Sequence, residues 1–207
     1  MALAKTKPVF TAQDYLEIDR ESDERYEFLD GEIYAMAGES GAHGDICMNL
    51  AVMIGNQLRG TKCRGRIKDT KVRSGMFPVK RPAVKGMISY PDLVVICGEP
   101  EYHDDFRDVV LNPQIIIEVL SESTEAFDRS EKFHRYQLWN PTLTDYILVS
   151  QDKPLIEHFV RQTDDSWKYL FYDGLDKEFS IDSVNCRLEL SDAFYRIEFE
   201  EMANEDE

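Results

Sequence analysis

The chain is expected to adopt an α/β fold, with a mixed central sheet flanked by helices and additional antiparallel strands after it. Three observations predict this. The runs Asp92-Leu-Val-Val-Ile-Cys97 and Gln114-Ile-Ile-Ile-Glu-Val-Leu120 are nearly continuous in branched apolar residues, as strands buried on both faces are. A helical stretch separates the second run from a third at 144–149, which gives the strand, helix, strand order of an α/β core. Beyond residue 155 the pattern shortens into strand-like pieces at 155–161, 167–172, 179–181 and 186–188.

The elements before the core follow from local signals. Thr11 with Asp14 three residues on is a capping box and opens a helix to about residue 19. Asp30-Gly31 between alternating segments at 25–37 predicts a hairpin, with Tyr26 and Phe28 on one face and Glu27 and Leu29 on the other. A second helix is expected over 40–58, because apolar residues recur at 46, 50, 53, 54 and 58; His43 falls in its first turn. Residues 63–73 alternate as one strand, with Arg64, Arg66 and Lys68 facing the same way, and 75–86 and 98–112 read as connections. After the second apolar run, Asp128 with Glu131 reads as the cap of a helix that carries Lys132 and Tyr136 on one face and stops at Asn140-Pro141.

Bulk properties bound the function. At 207 residues, 43% hydrophobic and 31% charged, residues 1–197 are expected to form a single domain, with 198–207 an acidic, frayed tail. No apolar run reaches the ~20 residues of a membrane span and the N-terminus lacks a signal-peptide core, so a cytoplasmic protein is expected. Cys47, Cys63, Cys97 and Cys186 include no C-x-x-C pair, which predicts reduced, mostly buried thiols, and the four histidines lack zinc-ligand spacing. Gly38-Glu-Ser-Gly-Ala42 lacks the second glycine of a hydrolase nucleophile elbow, so serine-hydrolase chemistry is set aside. A net charge of −16 argues against a protein that coats nucleic acid. Residues 59–85 run the other way, with ten basic residues against Asp69 alone. Arg64, Arg66, Lys68 and Lys71 within that segment are candidates for holding a polyanionic substrate.

Glu118 is the most informative residue, because a carboxylate inside an apolar strand is costly unless it is paired or bound to metal. Adjacent strands could set it beside Asp92, and two close carboxylates call for a cation. Hard oxygen ligands favour Mg²⁺ or Mn²⁺, the metals of phosphodiester hydrolysis. Lys132 would then add a positive charge at the scissile phosphate, with Tyr136 one turn away and Glu27 and His43 as weaker additions.

Pro91-Asp92 followed by Glu118 in Ile-Ile-Ile-Glu-Val-Leu-Ser resembles the PD-(D/E)xK nuclease superfamily. Arg25-Tyr-Glu-Phe-Leu-Asp-Gly-Glu32, His43, Tyr90-Pro-Asp-Leu-Val-Val95, the Glu118 strand with Ser121-Glu-Ser-Thr124, Asp128-Arg129, Lys132, Tyr136 and Asp145-Tyr-Ile-Leu-Val149 together look like the Uma-two family of restriction-endonuclease-like proteins. The strand lysine of the superfamily is replaced by Leu120, and Lys132 on the following helix is the matching residue. The resemblance implies a restriction-endonuclease-like core, Asp92 and Glu118 as ligands of Mg²⁺ or Mn²⁺, Lys132 as the catalytic cation, DNA as substrate and a homodimer. The competing expectation is a nuclease-fold protein that binds a partner without cleaving.

Overall fold

The structure is a computed structural model and describes residues 9–76 and 84–199. Lys80 and Arg81 of the basic segment, most of the 75–86 connection and most of the acidic tail lie outside the described residues. Helix α1 (Ala12–Glu21) starts at the expected box: Thr11 Oγ1 accepts from the Asp14 N–H at 3.1 Å, and the Asp14 carboxylate accepts the Thr11 N–H at 2.8 Å. Strands β1 (Tyr26–Leu29) and β2 (Glu32–Ala35) meet through Asp30 and Gly31. Both turn residues have positive φ, 46° and 90°, the conformation that follows the natural twist of a hairpin. Helix α2 (Gly41–Gln57) is capped by Ser40 and buries Ile46, Cys47, Leu50 and Ile54 along the predicted stripe.

The strand expected over 63–73 is two strands in two sheets: β3 (Cys63–Ile67) and β4 (Lys71–Ser74). Lys68 between them takes a left-handed backbone, φ 59°, which ends the alternation. Three further strands follow, β5 (Met87–Ser89), β6 (Leu93–Cys97) and the short β7 (Val109–Val110), and the last turns the 98–112 connection into part of a sheet. Next come β8 (Ile115–Val119) and a helical segment made of α3 (Glu125–Phe127), a π-helical turn (Asp128–Lys132) and α4 (Phe133–Trp139). Asp128 therefore sits inside the helix and is not its cap. The remainder is β9 (Asp145–Val149), β10 (Leu155–Arg161), β11 (Trp167–Asp173), β12 (Glu178–Ile181), β13 (Cys186–Glu189) and a short unanticipated helix, α5 (Leu190–Ala193).

The central sheet has the order β11-β10-β9-β8-β6-β3, with β8 and β9 parallel and the other pairs antiparallel. A second sheet, β2-β1-β5-β4-β7, and the β12-β13 hairpin complete the fold. Strand β8 lies in the middle and all five of its residues are buried. Its alternation divides the core. Ile115, Ile117 and Val119 pack with α2, whereas Ile116 and Leu120 join Phe133, Tyr136 and Tyr146 on the side of α4. Glu118 shares the α4 side by the same alternation.

The thiols also depart from expectation. Cys63 and Cys97 face each other in the β3–β6 register and form a disulfide, while Cys47 and Cys186 remain free and buried. Thirty-four residues separate the pair, so only strand pairing reveals the bond. Among the described residues no helix is long and apolar enough to cross a membrane.

Candidate active site

The β6–β8 register decides how the two central carboxylates meet. Leu93 pairs with Ile117 in antiparallel order, so the next positions outward are Asp92 and Glu118. Both line one cleft of about 1620 Å³, together with Glu27, Glu39, His43, Lys68, Asp128 and Lys132. Asp92 follows Pro91 at the open end of β6. Its Oδ2 accepts the Val119 N–H at 2.8 Å and lies 3.2 Å from His43 Nε2, while Oδ1 lies 3.3 Å from Lys68 Nζ. Burial pushes the Asp92 carboxyl up, but His43, the Val119 amide and Lys68 outweigh it and hold the group below its ordinary range.

Glu118 shares the cleft and reaches toward the helical segment that carries Lys132. Its Oε1 lies 2.8 Å from Lys132 Nζ, which also stands 3.1 Å from Asp128 Oδ1 and 4.0 Å from Glu27 Oε1. Lys132 is therefore the cation against which both buried carboxylates, Glu118 and Asp128, are set. Burial, then the neighbouring carboxylates, drive Glu118 well above its ordinary pKa against the pull of Lys132. Burial lowers Lys132, but Asp128, Glu118 and Glu27 overcome it and hold the ammonium charged. Lys132 thus sits in the cleft wall as a positive charge set among buried carboxylates.

The π turn places both ends of this arrangement. Asp128 and Lys132 are its first and last residues, and the Asp128 carbonyl accepts the Tyr146 hydroxyl at 2.9 Å. Such turns recur at functional sites because they re-aim side chains without breaking the helix. Glu27, on β1, is held by the Tyr90 N–H at 2.9 Å. Asp128 was legible only as an i, i+4 partner of Lys132, a signal masked by its resemblance to a helix cap.

Other expected positions lie elsewhere. Tyr136 is fully buried with its hydroxyl 2.8 Å from Ser89 Oγ and does not line the cleft, so its part is to pack beneath the site. Lys71 is buried between Asp19, at 2.6 Å, and Asp108, at 2.9 Å, which removes it from any substrate. Arg66 bonds the Tyr102 hydroxyl and Arg64 is exposed on β3; neither lines the cleft. Only Lys68 of the four basic candidates enters it, because its left-handed backbone turns it away from the face of Arg64 and Arg66. His43, in the first turn of α2, is almost fully covered. Burial pulls its imidazole down, yet Asp92 and Cys47 raise it to about 10.

Comparisons with known proteins agree with this architecture. The sequence profile of Uma2, described as "Putative restriction endonuclease", matches residues 12–192. Two proteins of Synechocystis sp., "Uncharacterized protein sll1609" and "Uncharacterized protein slr1290", are each 32% identical to the chain. The first aligns over 81% of this chain and 89% of its own length, the second over 82% and 84%. A crystal structure from Anabaena variabilis, described as "a putative nuclease belonging to DUF820", superposes with a TM-score of 0.70 at 15% identity, covering 89% of this chain and 97% of its own. At that identity the likeness is one of fold.

Proposed function

The chain belongs to the Uma2 family, and from that premise we propose that it is a divalent-metal-dependent endonuclease that hydrolyses DNA phosphodiesters at Asp92, Glu118 and Lys132. The observation that carries the reading is the β6–β8 register, which brings an Asp at a strand end beside a buried Glu that is already paired with a lysine.

The residues fit a hard cation. Glu118 and Asp128 bring two carboxylates to the cleft against a single ammonium, and Asp92 offers a third at the strand end. When bound, Mg²⁺ or Mn²⁺ supplies Lewis-acid stabilisation of the charge that builds on the phosphate. The chain's own part is positional. The imidazolium of His43, the Val119 amide and Lys68 hold the Asp92 carboxylate in one orientation. Lys132 presents its ammonium as a preorganised charge for a phosphate oxygen. Glu27, held by the Tyr90 amide, lines the same cleft near Lys132 and would accept a hydrogen bond from water there. A dimer that offers two such sites to the two strands of a duplex completes this reading.

The test is cleavage of supercoiled and single-stranded DNA with Mg²⁺, Mn²⁺ or EDTA. Metal-dependent cleavage is expected, with losses of about a hundredfold or more in Asp92→Ala, Glu118→Ala and Lys132→Ala. Cleavage unchanged in the first two variants would show that the site is misassigned. One observation favours a second reading, a nuclease-fold protein that binds a partner without cutting. The cleft is lined by eight acids against three Lys and Arg, a poor entry for a polyanion without added cations. DNA left intact by folded, metal-supplied protein would favour that reading.

A further inference from the structure

A second constellation lies on the other side of Asp92, along the first two turns of α2. Glu39 precedes the Ser40 cap, and His43 and Cys47 follow it at steps of four, so the three side chains form one stripe. His43 Nδ1 is 3.0 Å from Glu39 Oε2 and 3.5 Å from Cys47 Sγ, and one donor atom from each residue lies within 4.8 Å of the others. The opposite ring nitrogen, Nε2, faces Asp92 Oδ2 at 3.2 Å. The ammonium of Lys68 already occupies the spot: it bonds the Glu39 carboxylate and lies 3.4 Å from Cys47 Sγ and 3.3 Å from Asp92 Oδ1. Glu39 and His43 open onto the cleft, which gives a path for entry.

A bland account is available, in which a covered histidine is satisfied between two carboxylates and a thiol. The arrangement of those partners is specific: a carboxylate and a thiol converge on the Nδ1 edge of the imidazole, and a second carboxylate takes the Nε2 edge. This is how proteins orient a metal-ligating histidine, through an outer carboxylate that fixes ring and tautomer. A carboxylate oxygen, an imidazole nitrogen and a thiolate also form a borderline-soft set, which suits Zn²⁺ or Co²⁺ and is poor for Mg²⁺.

We propose that Glu39, His43 Nδ1 and Cys47 Sγ form a binding site for a borderline-soft divalent transition metal, separate from the hard carboxylate centre, with water from the cleft as fourth ligand. The metal displaces the Lys68 ammonium, and Cys47 and His43 Nδ1 each give up a proton to solvent on binding. Asp92 stands between the two centres, orienting His43 for one and offering an oxygen to the other. The site requires no nuclease activity, so its test is independent of the reading above.

The experiment is a titration of metal-stripped, disulfide-intact protein with Co²⁺, read by absorbance. Expected are a thiolate-to-cobalt charge-transfer band that saturates with one equivalent at this site, and bleaching of that band by Zn²⁺ but not by excess Mg²⁺, which fills the carboxylate centre. The band should vanish in Cys47→Ser, and affinity should fall about tenfold or more in Asp92→Asn through the lost outer partner. In the wild-type chain, Zn²⁺ should protect Cys47 and not Cys186 from alkylation, mapped by mass spectrometry, so the claim stands or falls even if a variant misfolds. Absence of the band at saturating Co²⁺, its survival in Cys47→Ser, or alkylation of Cys47 at the same rate with and without Zn²⁺ would overturn the proposal.

Discussion

At the residue scale the site turns on one ammonium shared by buried carboxylates. Removing one partner of a buried ion pair leaves charge with no solvent and no counter-ion, a loss of about 3–5 kcal/mol. Lys132→Met should therefore destabilise folding by about that amount at pH 7.5 in urea unfolding. The sign of the pH dependence follows from Glu118. Its folded pKa lies above the unfolded value, so the folded state takes up the proton first and stability is gained as pH falls. The deficit of Lys132→Met should shrink as pH falls from neutrality toward the ordinary carboxylate range, and a deficit that does not change with pH would show that the carboxylates are not the cause. Glu118 was legible because a carboxylate in an Ile-Ile-Ile-Glu-Val run has few inexpensive explanations. Lys132 was legible through the family resemblance, since no strand lysine stood in its place. Asp128 and the Glu39, His43, Cys47 stripe were missed, the first because helix caps and buried acids look alike in sequence. The second mixes one acid, one histidine and one cysteine at helical steps of four, which is not a cysteine or histidine spacing of any zinc motif.

At the element scale, the most consequential error concerned β3 and β4. One alternating stretch became two strands in different sheets because Lys68 adopts φ 59°, a conformation that no pattern of polar and apolar residues announces. The break sends Lys68 into the cleft and leaves Arg64 and Arg66 behind. The β3–β6 pairing also closes the Cys63–Cys97 bond at the outer edge of the central sheet. Closing a loop of this length in the unfolded chain is worth about 2–4 kcal/mol. The Cys63→Ser, Cys97→Ser double variant should lose that much in denaturant unfolding. Denatured, unreduced wild-type protein should show two reactive thiols, rising to four after reduction; four from the start would refute the bond.

At the scale of the whole molecule, a partly buried ionic network ties α1 to the second sheet. Arg20 grips Asp104 and Asp108, and Lys71 lies between Asp108 and Asp19, whose Oδ2 also accepts the Tyr90 hydroxyl at 2.7 Å. Burial raises Asp108, but the bonds from Arg20 and Lys71 outweigh it and hold its pKa at about 2. A folded pKa below the ordinary carboxylate value of about 3.9 adds stability above that pH and loses it as pH falls toward 2. Unfolding free energy should drop across that window, and Asp108→Asn should flatten the drop. An unchanged slope would assign the acid sensitivity elsewhere.

The sequence by itself determined the α/β class, the hairpin at Asp30-Gly31, the apolar strands β6, β8 and β9, and the candidate acids Asp92 and Glu118. Those features rest on local turn chemistry and on the cost of burying polar groups, which neighbouring residues reveal. Only the tertiary structure decided that Asp92 and Glu118 stand opposite each other, that Lys71 and Tyr136 are buried away from the cleft, and that Cys63 meets Cys97. Strand register and the left-handed backbone at Lys68 set those relations across distant parts of the chain, and no local pattern of residues announces either.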